Sequence, residues 1–152
     1  MTIAPDSLSI THTIPFAQEL THVETYLALE KKRFGYKLNI TYDIATSSFS
    51  LPALTLQTVV ENAVRHGVTK RSKGGTVSIG TKETENGYVI TVTDDGVGFD
   101  TGGKKQDGRS HVGIENTASR LASMCGGTLD VRSEPGVGTT AVITIPKRAA
   151  NP

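Results

Sequence analysis

The segment Glu61–Gly67 (ENAVRHG) combines an asparagine, an arginine and a histidine at helical spacing. Asn62 and His66 stand four residues apart, so on a helix they share one flank of the apolar stripe. An asparagine oxygen suits Mg²⁺, which takes few protein oxygens beside phosphates and waters, and Arg65 offers a fixed positive charge to a phosphate. The alternative is a solvated polar flank with a histidine near the helix end, where a cation suits the helix dipole.

The segment Asp94–Gly98 (DDGVG) directly follows a strand-like run that ends at Thr93. A carboxylate at a strand end accepts a hydrogen bond from an exocyclic amine, and this chemistry suits adenine. Gly96 and Gly98 allow the backbone to approach a flat ligand because they carry no side chain. The alternative is an ordinary turn between strands, since Asp-Gly pairs are common turn formers.

The segment HVGIEN begins a third predicted helix, Ile114–Met124. Gly113 would let a phosphate approach the first unpaired N–H groups of that helix, and a glycine at a loop-to-helix junction is the alternative. The preceding stretch, Thr101–Ser110, is too polar to pack and too long for a tight connection, which predicts a mobile lid. Its Lys104 and Arg109 supply positive charge for a bound triphosphate.

The fourth segment, PGVGT, ends at Thr139 and is by itself only a hairpin turn. In order, however, ENAVRHG, DDGVGF, HVGIENTASRL and PGVGT resemble the N, G1, G2 and G3 boxes of the GHKL, or Bergerat-fold, ATPases. That superfamily contains histidine kinases, gyrase-type topoisomerases, Hsp90-like chaperones and mismatch-repair ATPases. The segments Tyr26–Phe34 (YLALEKKRF) and Leu51–Gln57 (LPALTLQ) further resemble the LytS-type branch of bacterial sensor kinases.

The resemblance implies a site for ATP and Mg²⁺, in which Asn62 is the metal ligand and Asp94 accepts the adenine amine. It gives the remaining contacts to Gly96 and Gly98 beneath the base, Arg65 and His66 beside the phosphates, Gly113 at the far hinge of the lid, and Thr139 at the adenine pocket. His111 stands where kinases usually have the first glycine of the third box, so the phosphate contact there depends on Gly113.

The residue four positions before Asn62 distinguishes hydrolases from kinases within this superfamily. Gyrase-like and Hsp90-like hydrolases have a water-activating glutamate there, whereas this chain has Thr58. In a kinase the protein mainly positions and neutralises the γ-phosphoryl group for a histidine. Glu61 is then assigned a minor catalytic role, in polarising the incoming imidazole or orienting the water on the metal, and a solvated helix acid is its alternative.

The resemblance therefore implies the catalytic domain of a two-component sensor histidine kinase, which transfers the γ-phosphoryl of Mg-ATP to a histidine on a separate segment. Its partners would be the dimerisation and histidine-phosphoacceptor segment of the parent kinase and, indirectly, a response regulator. None of the four histidines lies in a segment that resembles such an acceptor. A self-contained GHKL ATP hydrolase and a nucleotide-binding module without catalysis stay open as alternatives.

The composition excludes several other classes of function. Lys and Arg total 16 against 15 for Asp and Glu, so a net charge of +1 gives no electrostatic case for nucleic-acid or membrane binding. The single cysteine, Cys125, cannot form an internal disulfide and predicts a reduced, cytoplasmic environment. No apolar run approaches the roughly 20 residues that span a bilayer, so we expect no direct membrane contact, although a longer parent could be membrane-anchored.

The elements that must position these segments fit a single domain, since the chain has 152 residues. We expect an N-terminal extension over residues 1–14 and the ATP-binding domain over residues 15–148. Their order predicts an α+β two-layer sandwich of the Bergerat type, a mixed sheet with about three helices on one face. The predicted helices are Pro15–Phe34, one from Pro52 to Gly67, and Ile114–Met124, and the predicted strands are Lys37–Ile44, Thr76–Lys82, Tyr88–Thr93, Thr128–Arg132 and Thr139–Ile145.

Overall fold

The computed structural model describes residues 13–98 and 109–147. These residues form three helices and seven strands, with two short 3₁₀ turns at Gly35–Lys37 and Val68–Lys70. In chain order the elements are β1 (Thr13–Pro15), α1 (Phe16–Phe34), β2 (Leu38–Ile44), β3 (Ser50–Pro52), α2 (Thr55–His66), β4 (Gly75–Glu83), β5 (Gly87–Asp94), α3 (Arg109–Cys125), β6 (Thr128–Glu134) and β7 (Gly138–Pro146).

The main sheet has five strands in the order β2-β4-β5-β7-β6. Strand β2 runs parallel to β4, whereas the other neighbouring pairs are antiparallel, so the sheet is mixed. Buried residues alternate along β4, β5 and β7, because one face of the sheet packs against the helices while the other is only partly covered. The predicted α+β two-layer fold is therefore confirmed.

Strand β1 pairs with β3 in a separate antiparallel sheet of two strands, which the sequence patterns did not predict. Thr13 pairs with Pro52 and Ile14 with Leu51, so pairing begins two residues before the expected domain start at Pro15. The division into residues 1–14 and 15–148 stays a prediction. Along the described chain, no helix is both long enough and apolar enough to pass through a membrane.

The predicted start of α2 at Pro52 is wrong, because this helix begins at Thr55. Pro52 belongs to β3, and Leu54 precedes the helix with a positive φ of 70° and no side-chain cap of its own. The cap comes from α1. Glu19 is 1% exposed, and its two carboxylate oxygens accept hydrogen bonds from the N–H groups of Leu54 at 3.0 Å and Gln57 at 3.1 Å. A contact distant in sequence therefore fixes where α2 begins.

The predicted start of α3 at Ile114 is also wrong, because the helix extends back to Arg109. Gly113 is therefore the fifth helical residue, beyond the first four whose N–H groups lack partners within a helix. A Cβ atom at Gly113 would lie 3.5 Å from Cγ2 of Thr58, so the glycine faces α2. Residues 101–108 of the predicted lid, including Lys104, lie outside the described residues. The side chain of Arg109 lies outside them as well.

Candidate functional site

A cavity of about 250 Å³ lies among α2, α3 and the strands β5, β6 and β7. Most of its wall is apolar, and four polar side chains converge on it, which is the usual composition of a small-molecule site. The polar residues are Asn62, Lys70, Asp94 and Thr139, and the others are Val59, Ala63, Gly67, Val92, Val97, Ile114, Val131 and Ala141.

Asp94 supplies the cavity with a buried carboxylate. It is the last residue of β5 and only 4% exposed, and its Oδ1 accepts a hydrogen bond from the Gly96 N–H at 2.8 Å. Burial raises the pKa of Asp94 to about 6, opposed by the backbone N–H groups of Gly96 and Thr139, while the negative charge of Asp95 adds to the rise. Above that pH the site contains a poorly solvated acceptor that favours a donor such as an amine.

Glycines let the backbone pack directly around this carboxylate. A Cβ atom at Gly67 would lie 2.8 Å from Oδ1 of Asp94, one at Gly96 would clash with the backbone of Gly67, and one at Gly138 would clash with the Asp94 carbonyl. Gly98 has a φ of +69°, and a Cβ atom there would clash with the Glu134 carbonyl, so Gly98 packs on the β6–β7 hairpin and does not line the cavity. The glycine sites thus define the tight wall behind Asp94.

Helix α2 places Asn62 on the cavity wall but directs Glu61 and Arg65 elsewhere. Glu61 accepts a hydrogen bond from Gln57 Nε2 at 3.0 Å and pairs with Arg65 at 4.0 Å. The Arg65 side chain is 65% exposed and does not line the cavity. Because one helical step turns by about 100°, adjacent residues face different directions. The predicted roles of Glu61 and Arg65 stay predictions, and the His66 side chain lies outside what the structure describes.

Thr139 reaches the same cavity because the register of β5 and β7 pairs it with Asp94. Its hydroxyl oxygen lies 2.7 Å from Oγ of Ser133 on β6. Two strand ends therefore bring together residues that are 45 positions apart in the chain. The structure places Asn62, Asp94 and Thr139 around one cavity, as the box order predicts.

Residues 52–149 match the family described as histidine kinase-, DNA gyrase B- and HSP90-like ATPases. The chain belongs to this family. The match covers more than half of the sequence and includes the segments that resemble all four boxes. The predicted superfamily is therefore confirmed.

Several relatives share most of this chain. YwpD of Bacillus subtilis (strain 168) is 39% identical over 137 residues, which cover 86% of this chain and 49% of that protein. The sensor histidine kinase YpdA of Escherichia coli (strain K12) is 34% identical over 131 residues, covering 81% of this chain and 23% of YpdA. The sensor protein LytS of Staphylococcus saprophyticus is 29% identical over 147 residues, covering 89% and 25%. The chain thus spans between about a quarter and a half of the length of these relatives.

Solved structures with low sequence identity share the fold. The nucleotide-free catalytic domain of histidine kinase ThkA superposes with a TM-score of 0.64 at 11% identity, covering 90% of this chain and 95% of that domain. The blue-light activated histidine kinase EL346 of Erythrobacter litoralis gives a TM-score of 0.65 at 21% identity, covering 88% and 42%. These two likenesses support the Bergerat-type assignment of the fold.

The family implies a divalent metal, and the amide oxygen of Asn62 is a ligand that Mg²⁺ accepts. In residues 13–98 and 109–147, no three His, Cys, Asp or Glu side chains cluster in a way that could hold a metal ion. A preformed metal cage is therefore absent from this part of the chain. The partly buried Asn62 instead offers a single amide oxygen on the cavity wall, which suits a cation that takes most of its ligands from phosphates and water.

Sequence reasoning missed Lys70, whose exposed side chain also lines the cavity. It is the last residue of the 3₁₀ turn that follows Gly67, so it projects from a different element than Asn62. The available signal was a basic residue three positions after the glycine that ends α2. Because the turn has no apolar periodicity, the pattern did not indicate which side of it faces the site.

Proposed function

We propose that this chain is the ATP-binding catalytic domain of a two-component sensor histidine kinase. It transfers the γ-phosphoryl of Mg-ATP to a histidine on a separate segment of the parent protein. The observation that carries the proposal is the buried Asp94 carboxylate, which shares one mostly apolar cavity with Asn62. Membership of the ATPase family supports ATP as the bound nucleotide. Relatives named as a sensor protein and a sensor histidine kinase support transfer of the γ-phosphoryl group to a histidine.

Asp94 recognises the base in this proposal. The adenine amine donates to the Asp94 carboxylate, while apolar side chains such as Val92 and Ile114 contact the ring faces. Guanine carries a carbonyl where adenine has its amine, so GTP would set two acceptors against each other. The unpaired, buried carboxylate would then cost binding free energy, and the site would favour ATP over GTP.

Asn62 organises the phosphate side. Its amide oxygen would hold Mg²⁺, which when bound neutralises charge on the phosphates and orients the γ-phosphoryl group. The exposed Arg65 guanidinium lies on the adjoining face of α2, where it is accessible to a phosphate or to the incoming acceptor segment. We assign His66, Lys104 and Arg109 to the phosphates as well, and Glu61 to the imidazole of the acceptor.

Thr58 favours phosphoryl transfer over hydrolysis. It occupies the position four residues before Asn62, and its methyl group lies beside Gly113 of α3. A threonine side chain has no group basic enough to take a proton from water, so ATP lacks a general base at the place where hydrolases of this superfamily have one. The partners are the dimerisation and phosphoacceptor segment and, indirectly, a response regulator, with this domain on the cytoplasmic side of a membrane-anchored parent.

Incubation with γ-labelled ATP and Mg²⁺ tests this function. The chain should bind ATP, hydrolyse it very slowly and remain unlabelled, and acid-labile phosphate should form only when the acceptor segment of the parent kinase is added. The Asp94→Asn variant, which should bind ATP poorly, is the control. Brisk hydrolysis without the segment would favour the self-contained hydrolase, whereas binding without any turnover in its presence would favour a non-catalytic module.

A further inference from the structure

Arg71 holds the backbone of the loop that follows Asp94. It comes directly after the 3₁₀ turn Val68–Lys70, and its guanidinium NH1 donates hydrogen bonds to the carbonyl oxygens of Asp95 and, at 3.4 Å, of Gly96. The Arg71 side chain is only partly buried and is not part of the cavity wall. The hydrogen bonds of Arg71 therefore connect it to the site through this backbone.

The carbonyl of Asp95 and the N–H of Gly96 belong to the same peptide unit. That N–H donates to Oδ1 of Asp94 at 2.8 Å, so one peptide unit links the Arg71 guanidinium to the buried carboxylate. A charged donor at the carbonyl end polarises the amide, which makes its N–H a stronger donor at the other end. The two bonds also fix the plane of the peptide unit and hence the direction of the N–H.

We propose that Arg71 is a positioning residue of the nucleotide site, which acts on the Asp94 carboxylate through the peptide unit between Asp95 and Gly96. The binding arm of the test below depends on the proposed ATP function. The assignment to a nucleotide site therefore rests on the proposed function, whereas the link from Arg71 to Asp94 rests on the geometry of the loop.

We call the link from Arg71 through this peptide unit to Asp94 the relay, and the charges near Asp94 explain why it matters. Among the described side chains, the charged groups near Asp94 are Asp95 on the loop, Lys70, which lines the cavity from the 3₁₀ turn, and Arg71, which bonds to the loop backbone. Asp95 opposes ionisation of Asp94, while its own Oδ1 accepts the Thr76 N–H at 2.7 Å and anchors the loop on β4. Burial raises the pKa of Asp94 to about 6, so a stronger N–H donor helps the carboxylate stay ionised at neutral pH.

Calorimetry with three variants tests the relay through ligand binding. Arg71→Gln should weaken ATP binding about tenfold, Arg71→Lys should restore part of the affinity, and Lys73→Gln should stay within about twofold of the wild type. Lys73 is the matched control because it is exposed and lies two residues further along the chain, so its loss removes the same charge without touching the loop. The loss in Arg71→Gln should be absent for purine riboside triphosphate, which lacks the exocyclic amine.

A thermodynamic cycle with Asp94→Asn separates a relay from general support of the loop. If Arg71 acts through Asp94, then Arg71→Gln should weaken ATP binding by less than about twofold in the Asp94→Asn background. Full additivity of the two substitutions, or equal losses for ATP and the amine-free analogue, would overturn the proposal. So would an Arg71→Gln variant that binds ATP as tightly as the wild type.

The nucleotide-free protein gives an independent measurement. In ¹H–¹⁵N spectra the amide proton of Gly96 should move upfield in Arg71→Gln, because a weaker hydrogen bond shields that proton, and it should stay in place in Lys73→Gln. An unmoved Gly96 signal would refute the relay. If the wild type failed to bind ATP while this shift was still observed, the proposed function would be wrong and the relay would stand.

Discussion

Substitution of Glu19 by alanine should destabilise the domain strongly, because this carboxylate caps α2 from another helix. It is 1% exposed and accepts hydrogen bonds from the Leu54 N–H at 3.0 Å and the Gln57 N–H at 3.1 Å. Hydrogen bonds to a charged group contribute about 1.5–3 kcal/mol each, and loss of an ordinary helix cap costs about 0.5–2 kcal/mol. Burial of the Glu19 side chain costs solvation, so the expected net loss on substitution is about 3 kcal/mol.

Urea unfolding followed by circular dichroism measures this loss, and two further variants interpret it. Glu19→Gln keeps one carbonyl acceptor but sets an NH₂ group against the second N–H, so it should cost about 2 kcal/mol. Glu24→Ala, an exposed glutamate on the same helix, should change the free energy of unfolding by less than about 0.5 kcal/mol. The reasoning is refuted if Glu19→Ala and Glu24→Ala unfold at similar urea concentrations, or if Glu19→Gln matches the wild type.

Four other predictions concern the cavity and the glycines near it. Asp94→Asn should weaken ATP binding more than tenfold, about 1.4 kcal/mol, in calorimetry. Because the pKa of Asp94 rises from 3.8 to about 6 on folding, wild-type stability should fall as the pH rises between these values. The Asp94→Asn variant does not have this loss, so it should have a higher melting temperature than the wild type at pH 8. A lower melting temperature for the variant would contradict this. Asn62→Ala should abolish the Mg²⁺ dependence of ATP binding while the fold persists; an unchanged metal effect in calorimetry would remove Asn62 from the metal site. Gly67→Ala should lower the free energy of unfolding in urea by about 2 kcal/mol or more, because the new Cβ would lie 2.8 Å from Asp94 Oδ1. Gly113→Ala should be neutral or stabilising, because its Cβ would lie 3.5 Å from Thr58 Cγ2. Equal losses in the two variants would contradict this contrast.

The sequence predicted those cavity residues whose side-chain direction follows from the hydrophobic pattern of their own helix or strand. Asn62 lies beside the apolar stripe of α2, and Asp94 ends an alternating strand, so periodicity alone brings both to the buried side of the domain. Thr139 follows from strand pairing once the hairpin is recognised. The four boxes supplied the relation among these residues that periodicity does not give.

The features that the sequence did not predict depend on contacts between distant segments. Glu19 looks like one more polar residue of an amphipathic helix, since its partners lie 35 and 38 positions away. Pro52 satisfies the rule for the first residue of a helix, but pairing with β1 keeps it in a strand. The hydrogen bonds of Arg71 within the described residues go to backbone atoms, so no side-chain motif indicates this contact.

The capping of α2 by α1 means that the folding unit is larger than the segment that defines the family. The family match begins at residue 52, yet Phe16, Val23 and Leu27 of α1 belong to the hydrophobic core, and Phe49 stacks between Phe16 and Tyr88. A chain cut at residue 52 would keep every box and lose the support beneath them. The start of the family match therefore marks what the wider family shares in chemistry, while the hydrophobic core of this domain extends further toward the N-terminus, back to Phe16.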